Sequence, residues 1–226
     1  MVRILALVSV AGLAGVAVAN PTTSGSGAVA GGASQRSVII DQPVSPANIG
    51  RVSQVFGDFP AFSTIGFDDF TLSSAYNLTS LTVYGIDNGD SNFNAAVRYA
   101  IVDVASNSPN TIFASGVGVQ VGSNLQFDLT GVTLGAGTYW LTAWVDRPFT
   151  GGGQWFWAEA TTSNGSESIF HNPGGGFGFG TNPTAGSAIF GAPSDLAFTL
   201  SGDVVPAPSA LALLGLGGLV AGRRRR

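Results

Sequence analysis

Between Ser37 and Ser201 the chain is written as short runs in which apolar and polar residues alternate, each closed by Gly, Pro, Asn or Asp. A period of two places alternate side chains on opposite faces of an extended strand, so such runs form strands with one buried face. The runs are Ser37–Asp41, Arg51–Phe56, Phe67–Leu72, Leu78–Ile86, Ala95–Val104, Thr111–Ser115, Val117–Val121, Leu125–Leu129, Gly137–Asp146, Gln154–Thr161, Ser168–His171 and Asp195–Ser201. None sustains an apolar period of about 3.6 residues, and no repeat of fixed length is present, which sets aside bundles, solenoids and propellers. The spacing predicts one all-β domain over residues 37–203. So many short strands favour a two-sheet, jelly-roll-like β-sandwich over an immunoglobulin-type module, which needs fewer. Turn chemistry agrees: Asp87-Asn88-Gly89-Asp90 follows the run Thr82–Ile86, and Asn-Gly adopts positive φ cheaply.

Charge narrows the function classes. There is no cysteine, which removes disulfides, thiolate catalysis and cysteine metal sites. There is no lysine either, and between the two ends the cations are Arg36, Arg51, Arg98 and Arg147, against 13 carboxylates. Nucleic-acid binding needs cations to neutralise phosphates, so it is excluded as a function class. Catalysis finds no constellation. His171 is the one histidine, and it stands beside the turn Asn172-Pro173-Gly174, where a solvated imidazole is expected. No Gly-x-Ser-x-Gly elbow accompanies it. The glycine-rich stretch Pro173–Gly180 lacks the lysine and helix of a phosphate loop, and is expected to be a flexible aromatic-glycine loop.

Both ends read as targeting segments. Met1-Val2-Arg3 is a short positive start, Ile4–Val16 is largely apolar, and Ala17-Val18-Ala19 supplies the small residues of a signal-peptidase site. Residues 1–19 are thus expected to be a signal helix removed on export, with residues 20–36 a flexible Gly/Ser/Thr lead. At the other end, residues 204–226 combine Pro206-Ala207-Pro208, a Leu/Gly/Ala run to Gly222, and Arg223, Arg224, Arg225 and Arg226. Counted from Val204, the apolar run approaches the length of about 20 residues that spans a bilayer as a helix. Terminal arginines prefer the cytoplasmic side, which orients the body outward.

That order of Pro-x-Pro, apolar helix and arginine cluster resembles the PEP-CTERM sorting tail, with Ala207 at the place of the usual central Glu. The resemblance covers the last two dozen residues or so. It implies an exported bacterial protein, held in the membrane by its C-terminal helix and handed to an exosortase-like enzyme. The destination it implies is the cell envelope, the outer surface or an exopolysaccharide-rich extracellular matrix. Similar tails are sometimes labelled after ice-binding proteins, which describes the tail and implies nothing for the body. Gly137-Thr138-Tyr139-Trp140-Leu141 and Phe67-Asp68-Asp69-Phe70 resemble stretches in bodies that carry such tails, and bring no activity with them.

Within the body the aromatic cluster is the most informative feature. The 4 tryptophans, Trp140, Trp144, Trp155 and Trp157, occupy neighbouring runs joined by Arg147–Gly153, which reads as a long-tipped hairpin. Alternation puts Trp140, Thr142, Trp144 and Asp146 on one face, and Tyr139, Leu141, Ala143 and Val145 on the other. Trp155, Trp157 and Glu159 likewise oppose Phe156, Ala158 and Ala160. If the aliphatic faces point inward, indoles and two acids share an outer face suited to glycans: flat apolar rings meet sugar C–H groups while carboxylates accept hydroxyls. Cross-strand register decides whether both tryptophan pairs share that face. The other reading makes the indoles core, since large aromatics dominate sandwich interiors.

Calcium is the metal that fits the sequence, with Asp87, Asn88 and Asp90 gathering oxygen donors in one turn and Asp68-Asp69 as a second acidic pair. The turn also has a purely conformational explanation, and no EF-hand glutamate closes it. The expectation is a non-enzymatic structural or adhesive module with glycan binding through the tryptophans. The alternative is a polysaccharide hydrolase running on two carboxylates about 5–10 Å apart.

Overall fold

The computed structural model describes residues 37–89, 95–103, 111–161 and 165–206. The signal segment, the lead, Asp90, Pro208 and Arg223–Arg226 lie outside the described residues. In chain order the strands are β1 (Ser37–Gln42), β2 (Gly50–Val52), β3 (Gln54–Val55), β4 (Ile65–Leu72) and β5 (Tyr76–Val83). Next come β6 (Gly85–Asp87), β7 (Ala96–Val102), β8 (Ile112–Val121), β9 (Asn124–Asp128) and β10 (Thr133–Leu134). The last are β11 (Gly137–Asp146), β12 (Trp155–Ala158), β13 (Ile169–His171), β14 (Thr184–Ala185) and β15 (Phe198–Val204). A single α-helical turn, α1, spans Gly186–Phe190. The described residues are thus predominantly β, and apart from β3 beside β11 the ladders are antiparallel.

The principal sheet runs β1-β15-β5-β9-β8-β7-β11-β4-β13-β14. Strand β8 turns it into a sandwich: its residues Ile112–Gly118 pair with β7, and Val119–Val121 pair with β9. Side chains from both halves then meet in one core. Phe70 of β4 lies 6.1 Å from Phe198 of β15, and Tyr99 of β7 lies 4.9 Å from Phe127 of β9. Leu81, Val83, Leu125, Ile101, Leu141 and Val145 fill the space between them. Gly118 sits where β8 changes partner. A Cβ there would stand 2.4 Å from Gln126 O and from the Phe127 ring, so only glycine lets β8 approach β9 this closely.

A smaller sheet, β2-β12-β6, packs Trp155 and Trp157 into the same core. Backbone bonds tie it in: Ala158 N donates to Tyr84 O (2.9 Å) and Ala197 N to Ala158 O (2.8 Å). Gly85 permits the contact, since a Cβ on it would stand 2.4 Å from Trp155 Nε1. The Gly-rich stretch after β13 is stapled down. Asn172, fully buried, donates to Ala61 O (2.8 Å) and Ser63 O (2.7 Å) and accepts from Phe177 N (3.1 Å). Phe177 packs edge-on against Phe62 at 5.4 Å. The sequence-based expectation of a loose loop omitted the buried amide that anchors it. Among the described residues no helix is long and apolar enough to cross a membrane.

Candidate functional site

The tryptophans divide between two environments. Along β11, Tyr139, Leu141, Ala143 and Val145 enter the core, while Trp140, Trp144 and Asp146 alternate onto the opposite face and stay half-buried. The β11–β12 hairpin and the common outer face expected from the sequence are not formed. Strand β11 has β7 on one side and β4 and β3 on the other, so no edge remains for β12. Strand β12 pairs with β2 and β6 instead, and Trp155 and Trp157 are both 0% exposed. Each indole N–H finds a backbone acceptor, Trp155 Nε1 at Ser123 O (2.8 Å) and Trp157 Nε1 at Ala197 O (2.9 Å). Burying two indoles with their donors satisfied is the larger driving force, because each removes some 150–250 Å² from water. Glu159 is buried with Arg51, whose guanidinium bonds its carboxylate (Nε to Oε1, 2.7 Å) and lies 3.7 Å over the Phe190 ring.

On the outer face of β11 a different group assembles. Trp144 pairs across the strand with Arg98 of β7, and Arg98 pairs with Val117 of β8. Trp144 Nε1 donates to Asp146 Oδ1 (3.0 Å), and Arg98 Nε donates to Asp146 Oδ2 (2.6 Å). The Arg98 and Asp146 side chains are 47% and 31% exposed, so indole, carboxylate and guanidinium all border solvent. Trp140 lies four residues, about 13 Å, along the same face. It packs on a small apolar cluster of Phe67, Ala100 and Val102 with Ile65 and Ile169 beside it. Of this group Arg98 was not legible in the sequence, because only the β7–β11 register brings it to Asp146.

Asp87 has another task than the calcium turn expected for it. Its Oδ1 accepts from Arg147 Nη2 (2.7 Å) and Gly89 N (2.9 Å), and its Oδ2 from Arg147 Nη1 (3.1 Å) and the Gln120 amide. A carboxylate offers about four lone-pair positions, and all are taken. Burial opposes ionisation of Asp87, but the Arg147 guanidinium, the Gly89 N–H and Gln120 outweigh it and hold the carboxyl below its ordinary value. Asn88 is exposed.

The pair Asp68-Asp69 splits across the sheet. Asp68 is 0% exposed, and burial pushes its carboxyl well above the ordinary value. Asp69 accepts from Ser166 N (2.7 Å), and burial raises it also. His171 is half-buried on β13, and burial lowers its imidazole. No protein-family model matches the chain, and no curated protein matches it.

Proposed function

We propose that this chain is an exported, non-enzymatic jelly-roll module of the bacterial cell surface or extracellular matrix, and that it binds saccharide on the outer face of β11. The observation that carries the reading is the row of Trp144, Asp146 and Arg98. An indole face offers apolar contact to a sugar ring, while the adjoining carboxylate and guanidinium offer charge-assisted hydrogen bonds to its hydroxyls. Trp140 on the same face gives a second indole along an extended chain. A hydrolase is less well supported. The two acids that adjoin the tryptophans in the sequence, Asp146 and Glu159, are each bonded to its own arginine, Arg98 and Arg51, and Asp69, which stands opposite Trp140, accepts from Ser166 N.

Trp144→Ala is expected to weaken retention on the preferred polysaccharide about 30-fold, a central-contact loss of about 2 kcal/mol. Its melting temperature should stay within a few degrees of the unmodified protein's. A glycan array followed by affinity electrophoresis reads both quantities. Failure of every glycan to bind, or equal retention by Trp144→Ala, would overturn the saccharide reading.

Sorting rests on the tail. The last strand ends at Val204, and Val205 N donates to Ala75 O (2.8 Å), directly before Pro206 of the Pro206-Ala207-Pro208 motif. Replacing Arg223, Arg224, Arg225 and Arg226 by serine should release the protein from its membrane-held intermediate. Fractionation of the producing cells checks this, and an unchanged distribution between membrane and medium would count against the sorting role.

A further inference from the structure

Strand β8 turns the corner of the sandwich and changes partner at Gly118. From Ile112 to Val117 it pairs with β7 on one side, and on the other side it meets no strand among the described residues. No backbone hydrogen bond leaves Ile112–Val117 for any described segment outside that ladder. In an antiparallel ladder some N–H and C=O groups point away from the partner, so an open edge presents donors and acceptors to solvent. The side chains there are apolar and exposed, Ile112 by 62%, Phe113 by 46% and Val117 by 70%. Edges of this kind are normally blunted by charge, by proline or by shortness. The two ends of the principal sheet follow that rule, since β14 is 2 residues long and β1 carries Asp41. Strand β8 runs for 10 residues with no charged residue and no proline, and its one irregularity lies opposite Ile101 and Val102 at its Ile112 end.

We infer that two copies of this chain associate through this edge, β8 against β8, antiparallel about a two-fold axis. An open edge is completed by another extended strand, and every copy brings the same one. A two-fold pairing therefore closes both edges at once and leaves none to propagate. Charge meets the condition that acidic copies impose on each other. The chain carries a net charge of −4, yet no charged residue lies between Asp103 and Asp128, so the two strands meet without repulsion. Val117 pairs with Arg98 of β7, and Arg98 with Trp144 of β11. Pairing would thus set the Trp144 rows of both copies on one continuous outer face. Association through β8 is independent of what that face binds.

The test follows the full chain by sedimentation velocity over a concentration series, with amide hydrogen exchange at both ends of the series. A few residues a side, against about 20–30 in a standard interface, should give a reversible dimer with a Kd of about 10–100 μM. The outward amides of Ile112–Val117 should gain protection as the dimer forms. Val117→Lys is expected to weaken association about 10-fold or more, because it sets like charges beside the seam. Val117 lies outside the core, so this variant should melt with the unmodified chain. Val121→Lys, on the part of β8 that pairs with β9, should associate as before. Unmodified chain that stays monomeric throughout the series overturns the interface. So does association that survives Val117→Lys, the result expected of contact through the apolar tail. Edge amides protected equally at every dilution overturn it too, because another segment of the same chain would then cover them.

Discussion

Asp87→Leu is expected to destabilise the fold by about 3–5 kcal/mol, because it leaves the Arg147 guanidinium buried without its counter-charge. The pair is sealed, with side-chain exposures of 0% for Arg147 and 3% for Asp87, and it is bidentate. It also organises its surroundings: Gln54 Nε2 donates to Arg147 O (2.9 Å) and to Gly153 O (3.0 Å), fixing both ends of the 148–153 connection. The double variant Asp87→Leu with Arg147→Met should recover much of the loss, since removing both charges removes the uncompensated one. Urea unfolding of the two single variants and the double gives the coupling energy directly. Additive losses would show that the pair is held by its neighbours and contributes little itself.

The same pair sets a pH dependence. The folded carboxyl of Asp87 lies below its unfolded value, so its stabilisation is complete above the ordinary aspartate range, near 4, and is lost as pH falls through the folded value. Asp68 and Asp69 shift the other way and act in the opposite sense. Comparing the unmodified chain with Asp87→Asn isolates one contribution from the others. The stability difference between them should shrink as pH is lowered from 5 to about 2. A difference that stays constant over that range would exclude the ionised pair as its source.

Trp157→Ala is the second large effect, about 3–5 kcal/mol, a large share of the 5–15 kcal/mol typical of a whole domain. The indole is 0% exposed; of its partner residues across β12, Gly85 has no side chain and Arg51 is held by Glu159, so neither is free to fill the cavity. Trp157→Phe should cost less. It keeps most of the buried area, and Ala197 O retains its bond from Tyr84 N (3.0 Å) after the indole N–H is gone. Denaturant midpoints of both variants, set beside Trp144→Ala, separate a core indole from a surface one. If Trp157→Ala melts like the unmodified protein, the burial of β12 is wrong.

Strand faces were readable from alternation because a period of two survives any arrangement of neighbours. That is why Tyr139, Leu141, Ala143 and Val145 enter the core and Trp140 and Trp144 do not. Alternation carries no record of which strand lies alongside. Trp155 and Trp157 alternate as cleanly as Trp140 and Trp144, and only the occupation of both edges of β11 sends β12 into the smaller sheet. The tryptophan face therefore lost half its expected members and gained Arg98, which lies 48 residues from Asp146 in the chain.

Local composition alone determined an all-β body without cysteine or lysine, acidic in balance, with β-strand periodicity between its two ends. Those properties are additive along the chain and need no partner. The tertiary structure decided everything that depends on long-range register. It committed Asp87 to Arg147 60 residues away, buried Asp68 against the Leu196 backbone N–H, and chose which indoles meet solvent. Such pairings are selected by burial and charge compensation between segments, and no single segment's pattern contains them.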